Sequence, residues 1–82
     1  MEIKNKKVVV TGAASGIGKE LCIAFQRHGA ASICAVDVNL DGAQETAQQI
    51  SGMSLFADVS REEDIKNVIE KTTKEFGSID IF

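Results

Sequence analysis

The stretch Val8-Val9-Val10-Thr11-Gly12-Ala13-Ala14-Ser15-Gly16-Ile17-Gly18 decides how the rest of the chain is read. The β-branched run from Val8 to Thr11 predicts a short strand buried on both faces, the pattern of a parallel sheet. Gly12 closes that strand. From Gly16 the apolar spacing becomes helical: Ile17, Leu21, Ala24 and Phe25 fall on one face. Arg27 and His28 place positive charge in the last turn, and Gly29 supplies the stop. Three glycines, at 12, 16 and 18, therefore sit at a strand-to-helix junction. Glycine permits a tight turn and a close approach of backbone to a ligand. The helix N-terminus adds unpaired amides and partial positive charge, which suit a pyrophosphate. The alternative reading of the same glycines is a tight turn that serves helix–strand packing alone.

Outward from this junction the pattern repeats. Ile33-Cys34-Ala35-Val36 reads as a second strand ended by Asp37, Gly42 to Ile50 as a helix, and Ser54-Leu55-Phe56-Ala57 as a third strand ended by Asp58. Ser60-Arg61-Glu62-Glu63 has the form of a capping box opening a third helix. Ile65, Val68, Ile69, Thr72 and Phe76 form that helix's apolar stripe, and Gly77 ends it. Glu62/Lys66 and Glu70/Lys74 are spaced to pair along its surface. Ile79-Asp80-Ile81-Phe82 begins a fourth strand. The expected architecture is β-α-β-α-β-α-β, a parallel sheet with right-handed crossovers and strand order 3-2-1-4. The first two helices are expected on one face and the third on the other. Because the chain stops within an element, residues 1–82 are read as part of a longer protein.

Composition narrows the function. Eighty-two residues allow one domain at most, and 44% hydrophobic residues are globular in character. A net charge of −3 gives no electrostatic footprint for nucleic acid or an anionic membrane. There is no Tyr, so no phenolic acid or base is available. Cys22 and Cys34 form no C-x-x-C pair, and a single His leaves no zinc ligand set. They read as free buried thiols of a reducing compartment. The N-terminal stretch from Met1 to Lys7 is charged, and no apolar run has the length of a signal peptide or membrane span. A cytoplasmic location is expected.

A mononucleotide P-loop is the nearest rival and fails on residues. It requires G-x-x-x-x-G-K-[ST], whereas Ala13 stands five positions before Gly18 and Glu20 follows Lys19. Asp37 lies 19 positions past Gly18, at the end of the second strand. A carboxylate there can accept both ribose hydroxyls of an adenosine and repel a 2′-phosphate. No Lys or Arg occurs between Asp37 and Gly52, so the balance favours NAD over NADP. Asp58, at the end of the third strand, has two readings of equal weight. It accepts from an adenine amine, or it serves the start of the following helix near Ser60.

Taken together these anchors resemble the N-terminal part of a short-chain dehydrogenase/reductase. They are Thr11-Gly12-x-x-x-Gly16-x-Gly18, Asp37, Asp58-Val59-Ser60 and Phe76-Gly77-x-Ile79-Asp80-Ile81, spread over the whole chain. The resemblance implies a Rossmann-like α/β fold, incomplete here, with residues 1–82 as the N-terminal portion of one NAD(P)-binding domain. It implies that Gly12, Ser15, Gly16, Ile17 and Gly18 line the pyrophosphate, Asp37 the adenosine ribose, and Asp58 and Val59 the adenine. Thr11 would stabilise the strand ends. The complete protein would then be an oxidoreductase exchanging hydride between NAD and a small alcohol or carbonyl substrate, and a homo-oligomer. The family's catalytic Asn, Ser, Tyr and Lys would lie beyond Phe82. A non-catalytic NAD-sensing or interaction protein on the same fold is the alternative, and a downstream Tyr-x-x-x-Lys would separate the two.

Overall fold

The computed structural model describes residues 3–82; Met1 and Glu2, the start of the charged N-terminal stretch, lie outside them. Three strands alternate with three helices: β1 (Lys7–Thr11), α1 (Gly16–Arg27), β2 (Ser32–Asp37), α2 (Leu40–Ile50), β3 (Met53–Phe56) and α3 (Glu62–Phe76). The strands are parallel and adjacent in the order β1-β2-β3. Val8 pairs with Ile33, Val10 with Ala35 and Asp37 with Phe56.

Strand alternation sends successive side chains to opposite faces, and each face builds its own core. Val8, Val10, Ile33 and Ala35 pack against Cys22 of α1 and against Ala43, Ala47 and Ile50 of α2. Val9, Cys34 and Val36 pack against Val68 of α3, with Met53, Leu55 and Phe76 around them. Both faces of β1 and β2 are covered, which is why their sequences are continuous apolar runs. Val8, Val9, Val36 and Val68 are fully buried. Each such side chain contributes about 1.5–3 kcal/mol relative to exposure, enough to hold the end of β1 as a fixed platform.

The expected fourth strand is present only as a single parallel bridge between Val8 and Ile81. The Val9 amide donates to the Ile81 carbonyl at 2.9 Å and the Ile81 amide to the Lys7 carbonyl at 3.1 Å. The Asp80 carboxylate also accepts from the Lys7 amide at 2.9 Å. The sheet itself therefore has three strands in the order β1-β2-β3, and the fourth strand of the expected order 3-2-1-4 is not formed among the described residues.

Three local expectations are corrected. The buried face of α1 is Gly18 and Cys22, with Ile23, Ala24 and Phe25 half-buried, while Ile17 is 81% and Leu21 44% exposed. The cause is the close seat of the helix on its own turn, which admits small residues and turns Ile17 outward. The capping box at Ser60 does not form. Arg61 is the N-cap, and the Ser60 hydroxyl is taken by Asp58 Oδ1 at 2.6 Å. Asp64, not Glu63, reaches back, accepting from the Asp58 amide at 3.0 Å. A carboxylate is a stronger acceptor for the hydroxyl than a helix amide is a donor to it. Of the two spaced pairs on α3, Glu62 and Lys66 approach to 3.8 Å. Glu70 and Lys74 form no ion pair among the described residues. Both pairs are at the surface, where solvation competes with pairing.

Among the described residues no helix is long and apolar enough to cross a membrane. Among them, too, no three His, Cys, Asp or Glu side chains gather as metal ligands. Cys22 and Cys34 are free and buried.

Candidate nucleotide-binding site

The site is built at the carboxyl ends of β1, β2 and β3. The turn after β1 uses left-handed backbone twice, at Gly12 (φ 66°) and Gly16 (φ 59°). Only glycine takes that conformation at little cost, so these two residues fix the path of the chain from strand to helix. Gly18 serves differently. It is buried in α1, and a Cβ there would be driven into the carbonyl oxygen of Gly12. Its bare Cα lets the helix start directly over the strand end. The packing reading of the motif therefore describes Gly18, and the turn reading describes Gly12 and Gly16.

The turn's polar groups divide into two sets. The Ala13 amide donates to the Val36 carbonyl at 3.0 Å, and the Ala13 carbonyl accepts from the buried Thr46 hydroxyl at 2.8 Å. The Ala14 amide donates to Asp37 Oδ2 at 3.0 Å. These groups are committed to the protein. Ser15 is the N-cap of α1 in extended conformation, and its side chain makes no capping bond. The amides of Gly16, Ile17 and Gly18, in the first turn of α1, have no carbonyl behind them to accept. They carry the partial positive charge of the helix end, and Gly16 and Ile17 are exposed.

Asp37 stands at the end of β2 with both oxygens aligned by backbone. Oδ2 takes the Ala14 amide and Oδ1 takes the Asn39 amide at 2.9 Å. Each carboxylate oxygen has a second lone pair, so the group can still accept two hydroxyls. Asn39 caps α2 through Oδ1, which accepts from the Gly42 amide at 3.1 Å. Gly12, Asp37, Val38, Ala57 and Val59 line one recess of about 150 Å³. Gly16 and Ile17 line a separate, open hollow along α1 with Lys19, Glu20, Leu21 and Ala24.

Asp58 does not line that recess. Its Oδ1 accepts from both the Ser60 hydroxyl and the Ser60 amide, and these bonds hold its carboxyl below the usual carboxylate range. Its Oδ1 is therefore engaged in the turn that starts α3, while its Oδ2 takes no hydrogen bond among the described residues. The structure thus brings Gly12, Asp37 and Val59 together, sets Ser15, Gly16 and Ile17 along the adjoining helix end, and buries Gly18 beneath them. Asn39, Gly42 and Thr46 also shape the site and escape sequence reasoning. Asn39 just before a helical run is a legible cap signal. A threonine within a polar helix gives no hint that it reaches a carbonyl 33 residues away.

A family model described as short chain dehydrogenase matches residues 6–82. The chain is similar to zerumbone synthase of Zingiber zerumbet, at 36% identity over 85 residues, covering 99% of this chain and 32% of that protein. It is similar to (+)-borneol dehydrogenase 2 of Salvia officinalis at 33% identity, covering 99% of this chain and 30% of that protein. Among solved structures it is similar to 3-ketoacyl-(acyl-carrier-protein) reductase from Brucella melitensis complexed with NADH. There the TM-score is 0.90 at 30% identity, covering 96% of this chain and 34% of the other. The chain spans about a third of the length of these relatives. With the family model running over all but its first five residues, and with the strand, glycine turn and acidic strand end in register, the chain belongs to the short chain dehydrogenase family.

Proposed function

We propose that this chain forms the nucleotide half of an NAD-dependent oxidoreductase acting on a small alcohol or carbonyl compound. One observation carries the reading: the glycine turn and the Asp37 carboxylate are fixed side by side, with the Ala14 amide bonded to Asp37 Oδ2 at 3.0 Å. A free helix end for pyrophosphate and an oriented carboxylate for a ribose diol are thereby presented together.

In this reading the exposed amides of Gly16 and Ile17, with that of Gly18 and the Ser15 hydroxyl, take the pyrophosphate oxygens. Gly12 gives the backbone clearance. Asp37 accepts the ribose hydroxyls through its remaining lone pairs, and Val59 with Val38 and Ala57 covers one side of the adenine. Asp58 holds Val59 and the start of α3 in place through Oδ1 and keeps Oδ2 as an acceptor for the adenine amine. The unneutralised Asp37 disfavours a 2′-phosphate, so NAD is the cofactor rather than NADP. The bound dinucleotide would supply hydride chemistry. This chain has no Tyr, and the group that manages the alcohol proton is proposed to come from outside residues 1–82 of the enzyme. That enzyme is proposed to be a cytoplasmic homo-oligomer.

The reading is tested by kcat/KM for NAD and NADP in the complete enzyme. NAD should be preferred, and Asp37→Ala with an Arg introduced nearby should shift preference toward NADP. A wild-type preference for NADP would overturn the assignment of Asp37.

A further inference from the structure

We infer that Thr46, from inside α2, is a positioning residue for the nucleotide turn; the inference rests on the nucleotide-binding reading above. Thr46 is completely buried, and its hydroxyl leaves its own helix to donate to the Ala13 carbonyl at 2.8 Å. A threonine within a helix commonly turns its hydroxyl back on the preceding turn. Here it holds one end of a peptide whose neighbouring amide is held by β2, through the Val36 carbonyl.

The contacts close into a ring. The Ala14 amide goes to Asp37 Oδ2, Asp37 Oδ1 takes the Asn39 amide, and Asn39 Oδ1 takes the Gly42 amide at the start of α2. α2 then returns to the turn through Thr46, four residues beyond Gly42. The helix and the turn also touch directly: a Cβ at Gly42 would lie 2.7 Å from the Ala14 Cβ. The phosphate side of the site and Asp37 are therefore one mechanical unit. The ring decides which amides stay inside the protein, those of Ala13 and Ala14, and which are left for a ligand, those of Gly16 to Gly18. Without the Thr46 hydroxyl, the Ala13 carbonyl is buried with no partner and must rotate toward one. Rotation of that peptide carries the Ala14 amide away from Asp37.

The test uses the complete enzyme, with Thr46→Val, Thr46→Ser and a matched control, Thr72→Val, in the opposite core. Amide hydrogen exchange is followed by NMR without ligand, and ADP-ribose is titrated separately. In Thr46→Val, exchange at Ala14 and Asn39 should rise about tenfold relative to Val10 of β1, the effect of one lost buried hydrogen bond. Affinity for ADP-ribose should fall by about the same factor. Thr46→Ser should restore both, and Thr72→Val should change neither. Thr46→Cys, whose thiol is a weaker donor, should give intermediate values and serves if Thr46→Val does not fold. A lowered melting temperature with the Ala14-to-Val10 exchange ratio unchanged would make Thr46 a packing residue and overturn the inference. If wild type binds no ADP-ribose, the nucleotide-binding reading fails, and the ligand-free exchange ratio still decides for or against Thr46.

Discussion

At the scale of single residues, Gly18 shows how one missing methyl group sets a site. A Cβ at this position would collide with the Gly12 carbonyl, so that even alanine must displace backbone. Overpacking of this kind costs about 1–3 kcal/mol. Gly18→Ala should therefore lower the melting temperature by roughly 5–15 °C in a domain of this size and weaken NAD binding with it. Thermal unfolding and a calorimetric NAD titration check both; an unchanged melting temperature would show that the helix has room to move off the turn. The glycine spacing was legible in the sequence because only glycine supplies positive φ and bare backbone. Asp37 was legible because its distance from Gly18 matches one helix and one strand. Thr46 was not, because its partner, the Ala13 carbonyl, comes from backbone brought near by the fold, and backbone leaves no mark on residue type. Asp58 was legible only in part: spacing placed it near a strand end and near Ser60 but could not show that Ser60 would take both its bonds on Oδ1 and leave Oδ2 open.

At the scale of elements, β2 is the layer on which everything else is stacked, and its chemistry is sensitive to alkali. Burial pushes the Cys34 thiol up to about 11, partly offset by the Thr72 hydroxyl, and burial with the nearby Cys34 pushes Cys22 up to about 11, from an ordinary 9.0. A group whose folded pKa is raised binds its proton more tightly when folded. The stability it contributes is complete below pH 9 and is lost as pH climbs toward 11. The melting temperature should fall between pH 9 and about 11. The double variant Cys22→Ala, Cys34→Ala should fall less steeply over that range, and an equal slope in both proteins would contradict the thiol origin. On α3, the buried Thr72 hydroxyl has no hydrogen-bond partner of ordinary geometry. The Cys34 thiol, a weak partner, lies beside it. Thr72→Val should stabilise the chain by about 1 kcal/mol, since it removes an unsatisfied polar group at constant volume. A loss of stability in denaturant titration would mean that the hydroxyl is satisfied in solution. Although its Ile69 is 43% exposed, the apolar stripe of α3 predicted the burial of Val68 and Thr72 correctly. The stripe of α1 did not, because close packing over the turn selects small side chains, and periodicity weighs Ile17 above Gly18.

At the scale of the whole molecule, the two sheet faces are unequally covered and one edge is open. α1 and α2 share one face, while α3 alone lies on the other, where Met53, Leu55 and Ile79 stay only half-buried. A helix is about 10 Å wide, and three strands spaced about 4.8 Å apart are wider than that. Among the described residues the outer edge of β1 is met at Lys7 to Val9, by Asp80 and Ile81. Past these contacts, strand alternation points the Val9 carbonyl and the Thr11 amide outward without a backbone partner. Beside that edge a recess of about 200 Å³ is lined by Val9, Val10, Thr11, Leu21, Phe25, Ile81 and Phe82, and Phe82 is 57% exposed. Open strand edge next to exposed apolar side chains is a template for pairing with another chain. The 82-residue chain by itself should therefore self-associate at micromolar concentration and bind NAD weakly, through the adenosine side. Sedimentation velocity should show a concentration-dependent shift to larger species. Leu21→Lys with Phe82→Lys should move the distribution back toward monomer, because charge at the rim of the recess opposes burial there without touching the Asp37 side of the site. A wild-type chain that sediments as a compact monomer and binds NAD tightly would mean that the edge is protected in solution and that this chain already holds a whole nucleotide site.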